Sequence, residues 1–135
     1  MATFNKFYSF SEAVYEKVHN LGSDSLKVAL TNTLPVATNT VLANITEVAY
    51  TNCSTRAVTQ ASSAQTTGTY KLVLNDLILT ATGTVGPFRY IVLYNDTATN
   101  DELIGWFDYG VSVTLANTDT FTIDFDGVSG ALTHV

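Results

Sequence analysis

Phe88–Gly110, FRYIVLYNDTATNDELIGWFDYG, decides the fold. Its first arm alternates: Phe88, Tyr90, Val92 and Tyr94 are set to point one way, and Arg89, Ile91, Leu93 and Asn95 the other. Period-2 alternation of aromatic and β-branched residues marks a paired strand. A short polar, acidic loop follows, and then a second aromatic arm that ends in Asp108-Tyr109-Gly110. The stretch contains no His, Cys or Lys, and its carboxylates lie mostly in the loop. The best-specified part of the chain is spent on building a sheet, which points to a protein that works by shape and adhesion.

Outward from this hairpin the chain reads as β almost throughout. Leu26, Val28 and Leu30 alternate with Lys27, Ala29 and Thr31, and Thr33-Leu34-Pro35 breaks that strand. Val36–Thr46 reads as a long connection with one short turn. Arg56–Gln65 is polar and β-prone, which suits an edge strand, and the Ser/Thr/Gln-rich run 59–69 suits a flexible hairpin. Tyr70, Leu72 and Leu74, then Leu77 and Leu79, then Val111, Val113 and Leu115, then Phe121, Ile123 and Phe125 give further strands. A short segment around Leu132 closes the chain.

One segment reads as helix. Ser9 and Glu12 have capping-box spacing, Phe10, Ala13, Val14, Val18 and Leu21 recur at helical spacing, and Gly22 stands where a C-terminal cap belongs. The expectation is a single β domain over residues 1–135: an N-terminal arm 1–9, a helix 10–21 and a β body 25–134. Parallel strands need long crossovers, and one helix cannot supply them. The fold class is therefore mainly β, an antiparallel β-sandwich or jelly-roll-like barrel with one short N-terminal α-helix.

Composition narrows the function. At 135 residues the chain can bury a core without staples, and 46% of it is hydrophobic against 13% charged. Net charge is −6, and the six basic residues are scattered singly, which disfavours nucleic acid and an anionic membrane surface as partners. Cys53 is the single cysteine, so no internal disulfide is expected. The first residues lack the pattern of a signal peptide, and the product is expected to be soluble and made in the cytoplasm of its producer.

Candidate chemistry is sparse. His19 is expected in the last helical turn, where it would complement the helix dipole, and His134 at a frayed terminus. Asp96, Asp101, Glu102 and Asp108 have the oxygens for a calcium site, but their spacing does not match an EF-hand loop and solvated carboxylates fit better. Asp124 and Asp126 suit the wet face of a strand. Trp106 with Tyr90, Tyr94 and Tyr109 offers a sugar-stacking platform, against which stands their ordinary use as core or interface aromatics. Cys53 has only Arg56 near it in sequence and a weak case for reactivity. The chain is read as a non-enzyme with no catalytic residue, cofactor, metal or small-molecule substrate.

Several segments carry a resemblance. FNKFYSFSEAVYEKVHNLGSDSLKVALTNT places a short helix before the Leu26–Leu30 strand, and Ile45-Thr46-Glu47-Val48 follows. Later come Phe88–Asp96, Leu103–Gly110 and Phe121–Phe125. This order resembles small head proteins of tailed bacteriophages, especially those of cyanobacterial and marine phages, some of which are capsid cement or decoration proteins. The resemblance implies a structural protein of the virion surface, made in the host bacterial cytoplasm. It would bind the major capsid protein of the assembled head and stabilise joints between capsid subunits. A homotrimer would suit threefold points of the shell. Phe4, Phe7, Tyr8 and Trp106 are the candidate capsid or subunit contacts, with packing into the protein's own core as the rival role. A tail, neck or head-fibre component with a host-binding role, and a carbohydrate-binding β-sandwich module, are the alternatives.

Overall fold

The computed structural model describes residues 2–135; Met1, the first residue of the expected arm, lies outside them. Ten strands and one α-helix follow in order among the described residues. They are β1 (Asn5–Lys6), α1 (Tyr8–Tyr15), β2 (Leu26–Thr31), β3 (Ala57–Val58), β4 (Gln60–Thr66), β5 (Thr69–Leu74), β6 (Leu77–Thr80), β7 (Val85–Asn95), β8 (Leu103–Leu115), β9 (Thr120–Ile123) and β10 (Leu132–His134). The connection after β2 carries a single 3-10 turn at Leu42–Asn44. All pairings are antiparallel, in sheets ordered β1-β8-β7-β2-β3, β10-β5-β4 and β6-β9. The mainly β, antiparallel, sandwich-like architecture with one short helix agrees with the sequence reading.

The five-stranded sheet is buried on both faces at its centre. Leu26, Val28 and Leu30 of β2 and Ile91 and Leu93 of β7 enter the main core, with Leu72 and Leu74 of β5 and Leu79 of β6. The opposite face holds Ala29, Val92, Tyr94 and Leu103, covered by Phe7 and by Leu42 and Ile45 of the long connection. Double-sided burial explains why β7 is apolar nearly throughout.

Phe88 departs from the alternation. It packs in the main core with Ile91, its ring 5.2 Å from that of Phe121, and not on the face of Val92 and Tyr94. The ladder slips there: Tyr90 pairs with Asp108, but Phe88 pairs with Val113. The extra residues on β8 loop out around Gly110, whose φ of +99° favours glycine. The second arm and the Val111–Leu115 strand, expected separately, are thus one bulged strand.

The helix expected over 10–21 occupies Tyr8–Tyr15 instead. Its N-cap is Phe7, which makes no side-chain capping bond, so the Ser9–Glu12 box is not used. Its end is a Schellman motif: Val18 N–H donates to Ala13 O at 2.9 Å and Lys17 N–H to Val14 O at 3.4 Å. Lys17 takes the left-handed position at φ +66°, a place usually given to glycine. Gly22 lies well past the helix. The one strand expected over Arg56–Gln65 is split into β3 and β4, which lie at the edges of two different sheets.

Candidate functional site

The arm is bound into the body. β1 pairs with Gly105 and Trp106 of β8, and Phe7 N–H donates to Ile104 O at 3.3 Å. The candidate contact residues separate accordingly. Phe7 is 0% exposed, with its ring 4.7 Å from that of Trp106. Trp106 is half-buried beneath it, and Phe4 is partly buried against Gly105 and the Phe107 ring. Tyr8 alone of the four points outward, at 68% exposure. Three of the four therefore have packing roles within the chain, and the Tyr8 side chain is left exposed.

Tyr8 does not stand alone. Its N–H donates to Ala37 O at 2.9 Å, which draws the loop bearing Leu34 and Val36 against the start of α1, and both of those side chains are exposed. Tyr15, at the far end of the helix, is exposed and meets His134, with Oη 3.0 Å from Nε2. His134 is thus a β10 residue with a ring partner and not a frayed end. Ile78 on β6 and Tyr109 and Val111 on β8 are further exposed apolar residues. Tyr109 also walls an apolar cleft of about 170 Å³ between β8 and β9, lined by Phe107, Phe121, Ile123 and Phe125. Tyr90 and Tyr94 are buried, so of the four aromatics considered for sugar stacking only Tyr109 is well exposed.

The polar groups hold the fold together. Asp96 pairs with Lys27 at 3.2 Å, and Glu102 accepts from Asn100 N–H at 3.3 Å. Asp108 accepts two bonds from Arg89, at 2.8 and 3.1 Å, and one from Gly110 N–H. The Arg89 guanidinium and that backbone N–H hold the Asp108 carboxyl below its ordinary range. Asp126 accepts from Val128 and Ser129 N–H groups and closes a turn. Among the described residues no group of three or more His, Cys, Asp or Glu is placed to hold a metal ion. Burial pushes the Cys53 thiol up, away from the reactive thiolate.

Two polar clusters escaped the sequence reading. The first seals the edge of β2 beyond its short pairing with β3. Tyr50 Oη accepts Leu30 N–H at 2.9 Å and donates to Glu47 at 2.7 Å, while Arg56 donates to Val28 O at 2.8 Å and stacks 3.7 Å over the Tyr50 ring. The second is His19, which lies off the helix and buried, with Nδ1 2.9 Å from Asn95 Nδ2. No helix is long and apolar enough to cross a membrane among the described residues. The chain matches no protein-family model, no curated protein and no solved structure.

Proposed function

We propose that this chain is a structural virion protein, a cement or decoration protein that binds the assembled head of a tailed phage and braces joints between capsid subunits. The observation that carries this reading is the set of large apolar side chains left on a rigid β body. Tyr8 lies at the start of α1 beside the loop that bears Leu34 and Val36, and Ile78, Tyr109 and Val111 stand exposed on the strands. Exposed apolar groups beside firm backbone suit a protein whose work is contact. The likeness of the Phe88–Asp96, Leu103–Gly110 and Phe121–Phe125 segments to phage head proteins supports the same reading. Its partners would be the major capsid protein and further copies of itself, as a homotrimer. Many modest contacts on a repeating lattice add up to high avidity.

Purified particles of the producing phage test this. The protein should be present in stoichiometric amounts on the shell, and particles stripped of it should lose resistance to heat or osmotic shock. Equal resistance of stripped and intact particles would end the cement role. Imaging that places the protein on the tail or neck would favour a tail, neck or head-fibre component.

A further inference from the structure

Asn95 is 0% exposed and spends its whole hydrogen-bonding capacity locally. Its Oδ1 accepts Thr97 N–H at 2.9 Å and Ala98 N–H at 3.2 Å. Its Nδ2 contacts Asp24 Oδ2 at 2.7 Å and His19 Nδ1 at 2.9 Å. An amide has two donors on nitrogen and two lone pairs on oxygen, so this account is full. Turning the amide over would set its oxygen against the Asp24 carboxylate and its NH2 against two N–H donors. The orientation is therefore fixed, and His19 Nδ1 must be the acceptor. The imidazole is neutral, with its proton on Nε2, which is buried and without a hydrogen-bond partner among the described residues.

We propose that His19, Asn95 and Asp24 form an acid-released latch that fastens the α1–β2 connection to the turn of the β7–β8 hairpin. A proton added at Nδ1 turns the acceptor into a donor facing another donor, so the His19–Asn95 bond is lost. Asp24 also accepts Asn20 N–H at 2.8 Å, so the same carboxylate orders the backbone that carries His19. Beside the latch, Asp96 N–H donates to Ser25 O and Ser25 N–H to Thr97 Oγ1, each at 2.8 Å. Release at His19 therefore acts beside the bonds that tie these two segments.

The groups around the ring set the direction. Asp24 from its own connection and Glu102 at the start of the second hairpin arm favour the imidazolium, while burial disfavours it and is the larger effect. The Phe10 ring of α1 lies 5.4 Å away, and Lys17, Tyr15 and Tyr70 line the cleft outside. The affinity of His19 for a proton is held below its ordinary value of 6.5. The opened state takes up a proton more readily than the closed one. The latch is thus at full strength above 6.5 and weakens as pH falls through the window below it.

Nitrogen NMR of His19 in the full chain at neutral pH should show the Nε2–H tautomer and a titration midpoint below 6.5. Amide exchange at Thr97 and Ala98, corrected for intrinsic rates, should report an opening constant that rises by up to about tenfold per pH unit below that value. His19→Gln, whose carbonyl can accept from Asn95 and does not titrate, should flatten that slope. An Nδ1–H tautomer, a midpoint at or above 6.5, or equal slopes in the two proteins would overturn the latch. If the variant fails to fold, the tautomer and midpoint of the unaltered chain decide alone.

Discussion

Gly105 and Phe4 occupy one another's space. A Cβ on Gly105 would run into the Phe4 ring and would also sit 2.7 Å from Asn5 O, which is backbone and cannot swing aside. The two-residue β1 strand pairs alongside this position, so the missing side chain is what lets the arm close on the edge of β8. Gly105→Ala should cost about 1–3 kcal/mol in chemical denaturation, the usual cost of overpacking. Adding Phe4→Ala should recover only part of the loss, because the Asn5 carbonyl remains. A neutral Gly105→Ala would mean that the arm is not seated as described.

Phe7 and Tyr8 are neighbours with opposite duties. Phe7→Ala should cost about 3–5 kcal/mol, since a fully buried ring between Trp106 and the β7 face leaves a cavity. Tyr8→Ala should leave folding within about 0.5 kcal/mol, as surface changes usually do. If the cement reading is right, the same Tyr8→Ala protein should be retained less on heads that lack their own copy. Pull-down on such heads, paired with a melting curve, separates the two effects. A Tyr8→Ala protein that melts normally and binds normally would remove Tyr8 from the contact surface.

Sheet content was legible because burial writes itself into alternation. Leu26, Val28 and Leu30 share one face as expected, and so do Leu72 and Leu74. The Phe88 slip was not legible, because its cause is a bulge centred on another strand, at Gly110. The site was less readable still. Phe4, Phe7, Tyr8 and Trp106 are all aromatic, and which of them faces out depends on a β1–β8 pairing that joins distant segments. His19 looked like a helix-end residue because Gly22 suggested a later stop. Asn95 gave one hint: it is a polar residue closing the apolar run Tyr90–Tyr94 of β7, next to the hairpin turn.

The helix ends at Tyr15, short of the stop that Gly22 suggests, and the turn that ends it can be tested. Lys17 sits at φ +66°, where an L side chain crowds its own backbone. Lys17→Gly removes that crowding but adds freedom to the unfolded chain, which offsets part of the gain. The expected outcome is a stabilisation of about 0.5–1 kcal/mol, read as a higher denaturation midpoint with an unchanged slope. Lys17→Val should do the reverse, since a β-branched residue tolerates positive φ poorly. Loss of stability in Lys17→Gly would mean that the Lys17 side chain contributes more than its backbone costs.

Tyr50 gives the β2 edge an alkaline limit. Burial is the main reason its phenol is pushed up from its ordinary 10.0, and the neighbouring Glu47 adds to it, while the Leu30 N–H bond and Arg56 pull the other way. The folded state therefore holds the phenolic proton more tightly than the unfolded chain does. That contribution is fully present below pH 10.0 and is lost as pH rises above it, because only the unfolded chain then ionises freely. Tyr50→Phe should lose about 1–3 kcal/mol at neutral pH, since Leu30 N–H and the Glu47 carboxylate lose their shared partner. Above pH 10.0 the gap between the two proteins should narrow, because the phenylalanine variant has no phenol to ionise. Denaturation midpoints taken from pH 7 to pH 11 measure that gap directly. A gap that stays constant across the range would show that the Tyr50 hydroxyl is open to water, and that the loop bearing Glu47 and Arg56 does not seal the edge of β2.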